Sequence, residues 1–306
     1  MPPVIRRGGI RAALAAVTGL LVVLPAGLAH AGPQAKASAL TVDVDTPKRV
    51  ALLKKLTIEG TGATPAQPVS VTVTASGREL QKEQLTPAAN GTFSMPLVVN
   101  ACCGYEISAS SGGESAGDAF NVALPKKLGK GKVTRFFNRS LQAQGFHTGT
   151  KGRRATLGTR LAIKAFRKTN GMGRSQRYRP AVFRKLLQGG GAFKPRYDDG
   201  RHVEVDISRQ VMSLIQGDTP KHTFHVSSGA GGTPTIRGKY RFNRREAGYN
   251  NVRMYFSVYF RGGYAIHGYS GVPNYPASHG CVRNPIPFSR FIYNWVDIGM
   301  PIYIYG

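Results

Sequence analysis

One cysteine and two histidines fall within fifteen positions near the C-terminus of a chain with only three cysteines and seven histidines. Cys281 sits in Ser278-His279-Gly280-Cys281-Val282-Arg283-Asn284, and ten residues separate His267 from Ser278. A thiol next to imidazole suits acyl transfer. The thiolate attacks a carbonyl carbon, an imidazole carries the proton, and backbone N–H groups of the Gly280-Cys281 turn hold the developing oxyanion. A free thiol titrates near ~8.5, and a neighbouring imidazolium or a helix N-terminus lowers that value. Asn284 has the chemistry of an N-cap and Pro285 suits a first helical position. Phe288, Phe291, Ile292 and Trp295 follow at i, i+3, i+4 and i+7, so the spacing predicts a helix whose positive end stands just after Cys281. Two histidines compete for the role of base. His279 is two residues from the thiol, which on an extended chain leaves the tips parallel and far apart. His267 ends the strand-like Tyr264-Ala-Ile-His and reaches across a loop. The residues alone leave that choice open.

These side chains must be delivered by a chain of 306 residues, long enough for two or three domains. With 42 Lys+Arg against 15 Asp+Glu, the formal net charge is +27, which points to work beside a polyanion. The N-terminus narrows the choice of polyanion. Arg6, Arg7 and Arg11 precede an apolar run from Ala12 to Leu28, broken by Pro25, and Ala29-His30-Ala31 has the small residues of a cleavage site. Residues 1–31 are therefore expected to be a signal peptide and 32–39 a linker. Export argues against nucleic acid and for the anionic polymers of a bacterial wall. No later segment reaches the ~18 apolar residues of a membrane span, so none is expected after signal cleavage. Cys102 and Cys103 are adjacent, which leaves two readings: a strained disulfide between neighbours, or two buried thiols. His222 and His225 lack a third ligand at metal-binding spacing, so neither metal nor cofactor is expected.

Residues 40–124 read as short strands and turns. Val69, Val71 and Val73 alternate with polar residues, Asn90-Gly91 is a turn signal, and Tyr105-Glu-Ile-Ser-Ala is another strand. The expected fold is an immunoglobulin-like β-sandwich. Residues 125–132 read as a Gly/Lys linker. Between Pro125 and Arg201 there are 21 Lys+Arg and two acids, Asp198 and Asp199. Three helices are predicted in 133–191: one around Phe137 and Leu141, one around Leu161 to Phe166, and one from Pro180 to Leu187 before Gly189-Gly190-Gly191. This segment resembles a peptidoglycan-binding domain, which implies a hold on wall glycan. Strands return from His202 onward, in Val203-Glu-Val-Asp-Ile, Thr223-Phe-His-Val and Ile302-Tyr-Ile-Tyr. The class is thus multidomain and mainly β: a sandwich, a small three-helix middle domain and a mainly-β C-terminal domain with few helices.

The spacing of His267-Gly268 and Ser278-His279-Gly280-Cys281-Val282-Arg283 resembles the signature of the L,D-transpeptidase (YkuD-type) catalytic domain over 199–306. Val203-Glu-Val-Asp-Ile, Val226-Ser-Ser-Gly-Ala, Thr233-Pro-Thr and Gly238-Lys-Tyr-Arg-Phe resemble its ordered flanking elements. The resemblance implies that Cys281 is the nucleophile and His267 the general base and acid. It implies that Ser278, His279 and Gly280 shape the loop and oxyanion site, and that Tyr264, Gly268, Arg283 and Asn284 contact substrate. The implied reaction is exchange on peptidoglycan stem peptides through a thioester, giving 3→3 crosslinks. Water as acceptor would make the enzyme an L,D-carboxypeptidase, and a silent site would leave a basic wall-binding or scaffolding protein, with stem peptides, glycan and other anionic wall polymers as partners. The loop from His267 to Ser278 is short for the family, and two residues separate Thr235 from Gly238 where the family runs the glycine on directly.

Overall fold

The computed structural model describes residues 39–306; the expected signal peptide and all but the last residue of the following linker lie outside the described residues. Eight strands come first: β1 (Thr41–Asp43), β2 (Arg49–Ala51), β3 (Lys55–Thr61), β4 (Val69–Ala75), β5 (Arg78–Leu85), β6 (Phe93–Val98), β7 (Gly104–Ser111) and β8 (Glu114–Ala123). They form a three-stranded sheet, β1-β3-β6, and a five-stranded sheet, β2-β8-β7-β4-β5. The period-two pattern does the sorting. Val69, Val71 and Val73 of β4 and Phe93, Met95 and Leu97 of β6 all point inward and are buried. Cys102 and Cys103 form a disulfide with each other, which decides between the two readings of that pair.

Three helices follow: α1 (Lys132–Ala143), α2 (Leu157–Thr169) and α3 (Pro180–Leu187). Thr156 caps α2 through a reciprocal pairing with Thr159, and Pro180 opens α3 where its missing N–H costs nothing. Aromatic rings fill the spaces between helices. Phe137 meets Phe183 edge-on at 4.8 Å, and Phe146 meets Phe166 at 5.2 Å. The buried apolar cluster of the N-terminal sheets continues without a break into these helices. Residues 39–306 accordingly pack as one compact unit.

The C-terminal region holds β9 (Arg201–Asp206), β10 (Val211–Gln216), β11 (Thr219–His225), β12 (Gly238–Arg241), β13 (Arg244–Tyr249), β14 (Tyr255–Arg261), β15 (Tyr264–Tyr269), β16 (Val282–Pro285), α4 (Ile286–Trp295) and β17 (Pro301–Tyr305). One sheet runs β11-β10-β9-β17-β12 and the other β13-β14-β15-β16, so the molecule is mainly β with four helices among the described residues. Two pairs are parallel, β9 with β17 and β15 with β16. A second apolar cluster lies between these sheets and α4, and Leu161 of α2 is part of it. No helix of the described residues is long and apolar enough to cross a membrane.

The start of α4 differs from expectation. Asn284 and Pro285 belong to β16, the helix begins at Ile286, and Pro285 occupies the cap position with no side-chain cap. Pairing of β16 with β15 keeps the chain extended through Pro285, and a second proline, Pro287, serves the first helical turn. Because Phe166 is fully buried, Phe166→Ala is expected to cost about 3 to 5 kcal/mol, read from the urea unfolding midpoint.

Candidate active site

The parallel register of β15 and β16 builds the site. His267 lies opposite Arg283 and Ile266 opposite Val282. Side chains alternate along a strand, so Ala265, His267 and Tyr269 share one face with Cys281 and Arg283. The contacts agree with that placement: Cys281 packs against the cluster holding Ala265, and the Arg283 guanidinium lies 4.1 Å from the centre of the Tyr269 ring. His267 falls between the two.

The turn before β16 is tied down by Ser278, which is buried. Its hydroxyl accepts from the Gly280 N–H at 3.2 Å and donates to the Cys281 carbonyl at 2.5 Å. Its N–H donates to the Ser228 carbonyl at 3.0 Å, and its own carbonyl accepts from the Ala230 N–H at 2.8 Å and the Thr233 hydroxyl at 3.1 Å. The segment Val226-Ser-Ser-Gly-Ala makes isolated bridges, Ser227 to Arg283 and Gly229 to Ser278. Gln210 fixes it from below by accepting from the Ser228 N–H at 2.8 Å and donating to the Ser228 hydroxyl at 2.6 Å.

Two glycines are required by geometry. Gly280 has φ +108°, and a Cβ there would sit 2.6 Å from the Tyr264 ring. Gly268 has no room for a Cβ because Ser289 of α4 lies against it. Gly268 thus acts in packing, and Tyr264 forms the wall beside the turn. Asn284 is buried, its carbonyl oxygen accepting from the Ser289 hydroxyl at 2.8 Å while its Nδ2 has no protein partner. Arg283 donates to the Ala277 carbonyl at 3.0 Å. His279 is exposed.

The electrostatics reverse one expectation. Cys281 is half-buried, and its Sγ–H donates to the Gly263 carbonyl at 3.4 Å. Burial pushes its pKa up, opposed more weakly by the Ala265 backbone N–H and by Arg283. The expected helix N-terminus is absent from its side, since β16 separates Cys281 from α4. Burial also pushes His267 down to about 4. His267 Nδ1 lies 2.9 Å from the Gly268 carbonyl, which must accept, so Nδ1 carries the proton and Nε2 keeps its lone pair. The resting pair is a neutral thiol and a neutral imidazole whose free nitrogen can accept a proton. His222 and His225 diverge: His222 faces His147, and His225 faces Lys168.

Residues 200–304 match the family model of the L,D-transpeptidase catalytic domain, YkuD. The match places the likeness to that catalytic domain in the C-terminal region. A crystal structure of the L,D-transpeptidase (residues 123–326) from Xylanimonas cellulosilytica is 27% identical, covers 59% of this chain and 97% of its own, and superposes with a TM-score of 0.54. An L,D-transpeptidase from Stackebrandtia nassauensis is 19% identical over 60% of this chain and 98% of its own, with a TM-score of 0.38. Only the first is near enough in shape to bear on the fold. A search of curated proteins gives no match. The family-model match supports transpeptidase activity on peptidoglycan.

Two predictions come from this geometry. Alkylation of Cys281 by iodoacetamide requires thiolate, so its rate should rise with pH through a midpoint above the ~8.5 of an ordinary thiol; a midpoint below 7 would mean a preformed ion pair. Separately, Gly280→Ala should slow alkylation and turnover by about tenfold or more. Adding Tyr264→Ala should restore only part of this, because it removes the ring clash and leaves the left-handed φ.

Proposed function

We propose that the protein is an exported cysteine transpeptidase that makes 3→3 crosslinks between peptidoglycan stems. The observation that carries this reading is the shared face of Cys281 and His267 across the β15/β16 pair, with Nε2 of His267 unprotonated. The basic N-terminal pattern supports export, and the charge of 125–201 supports a hold on an anionic wall.

The steps follow from the neutral resting pair. Cys281 gives its proton to His267 Nε2 as sulfur attacks the carbonyl carbon of the third, diamino residue of a donor stem. The oxyanion is held by the N–H of Cys281, since the Gly280 N–H already serves Ser278. The C–N bond to the terminal D-residue breaks, and the imidazolium returns its proton to the leaving amine. A thioester on Cys281 remains. The side-chain amine of a second stem attacks it, His267 takes the proton from that amine, and the thiolate leaves and is reprotonated. Arg283 is positive on the same face, which favours thiolate and disfavours imidazolium.

Mass spectrometry after incubation with tetrapeptide stems should show an acyl adduct on Cys281 and loss of the terminal residue. Cys281→Ala should abolish both adduct and dimer, and His267→Ala should lower acylation by about 10²- to 10⁴-fold. Dimer formation that survives in Cys281→Ala would sink the mechanism; free tripeptide without dimer would assign the carboxypeptidase reaction. The acid limb of kcat/KM should lie near pH 4, because activity is lost as His267 gains a proton on falling pH.

A further inference from the structure

The loop between β15 and β16, residues 270–281, is held from two directions. From Tyr275 onward it is anchored within the C-terminal region: the Ser227 hydroxyl donates to the Tyr275 carbonyl at 2.7 Å, and Arg283 holds the Ala277 carbonyl. Its earlier half is held from the helical segment. Arg174, between α2 and α3, donates to the Asn274 carbonyl at 2.6 Å and to the Ser208 carbonyl at 2.9 Å. The Asn274 side chain returns a bond to the Arg174 carbonyl at 2.7 Å.

A second, buried hold runs through His225. Lys168 of α2 is buried, and its Nζ lies 2.7 Å from His225 Nδ1, 3.1 Å from the Gln210 carbonyl and 3.1 Å from the Val226 carbonyl. Three acceptors around Nζ suit the three donors of an ammonium, while burial, with Lys164 and Arg174 nearby, pushes the Lys168 pKa down to about 6. His225 Nε2 is 3.0 Å from the Val272 carbonyl, so Nε2 carries the proton and Nδ1 accepts from Lys168. Lys168 on Nδ1 and the Val272 carbonyl on Nε2 fit the same tautomer and so tie α2 to the loop through one ring, with Lys164 Nζ 3.3 Å from Nε2. Gln210, whose backbone Lys168 grips, is also the residue that fixes Ser228 beneath the Ser278 turn. The loop and α2 together line a cavity of about 270 Å³, with Leu161 and Lys164 on one side and Tyr269 and Val272 on the other.

We propose that Arg174 and Lys168 are positioning residues for the transpeptidase site, so that the helical segment holds the loop at Val272 and Asn274 and thereby keeps the acceptor stem in and water out. The proposal rests on the transpeptidase reading for its kinetic consequence and not for the hold itself. The basic helical segment, on this account, acts on the reaction as well as on the wall. Two of its basic side chains, exposed Arg174 and buried Lys168, donate to carbonyls of the C-terminal region.

The test uses the full chain. Arg174 is exposed, so Arg174→Ala/Asn274→Ala should fold, whereas Lys168 variants bury an unpaired imidazole. In the double variant, amide exchange of 271–276 should quicken. The kcat/KM for stem dimerisation should fall about tenfold and the hydrolysed share of thioester should rise. The alkylation rate of Cys281 and the unfolding midpoint should stay near wild type, which a merely structural loss would not allow. Arg174→Lys, which keeps one donor, should fall between the two. Unchanged exchange overturns the proposal, as does quicker exchange with kcat/KM and partition within about twofold of wild type. If wild-type protein forms no acyl adduct, the transpeptidase reading fails and the exchange measurement still decides whether the hold exists.

Discussion

Parallel pairing of β15 with β16 is the constraint on which the site depends. Two parallel neighbours cannot be joined by a tight turn, and their connection needs about a dozen residues. The connection here runs from Ser270 to Cys281, near that minimum. The same pairing therefore does two things. It places His267, Arg283 and Cys281 on one face, and it forces a loop to stand beside them. Gly268 follows from the same geometry, since α4 must return across this pair closely enough for Ser289 to press on the strand. Gly280 follows too, because the last step into β16 bends left-handed beneath Tyr264.

Burial then sets the chemistry. Taking both groups from water disfavours the charged form of each, so the thiol rises and the imidazole falls. The pair is neutral at rest, and charge appears only when sulfur begins to attack. A permanent thiolate next to an imidazolium would need a strong local field, and the one nearby source besides Arg283 that the local spacing suggested, the α4 N-terminus, lies beyond an intervening strand. Arg283 lowers both pKa values, so it favours the thiolate while disfavouring the imidazolium that such a pair would need. Its own position is secured by Tyr269 and by the Ala277 carbonyl, so the charge has a fixed place relative to the thiol.

Much of this was legible in the residues, for a physical reason: local periodicity survives folding where one face of an element is buried. Val69, Val71 and Val73 alternate and form β4, and Pro180 with the glycines after Leu187 marks α3 at both ends. The cysteine and histidine motif was legible because the catalytic spacing is itself local. The error at Asn284-Pro285 has the opposite origin. As isolated residues they are good helix openers, but a long-range partner, β15, claims them first and keeps them extended. Lys168 with His225 and Arg174 with Asn274 left no trace, because partners 57 and 100 residues apart share no spacing rule. In a segment so rich in Lys and Arg, nothing local separates a cation aimed at a carbonyl from one aimed at solvent.

That point bears on how the charge of the helical segment should be understood. A strongly basic surface attracts an anionic polymer without orienting it, since the attraction is long-ranged and screened by salt. Short hydrogen bonds from Arg174 and Lys168 act over a few ångströms and are directional. The two uses are separable in kind: a diffuse field attracts an anion without orienting it, and directed bonds fix a loop at particular atoms. A loop pinned only from Tyr275 onward would be unheld at Val272, which borders the cavity beside Tyr269. The α2 helix borders that cavity and also belongs to the apolar core between the catalytic sheets through Leu161. Any shift of α2 would therefore be felt at the loop, which couples the helices to the β15/β16 pair through packing as well as hydrogen bonds.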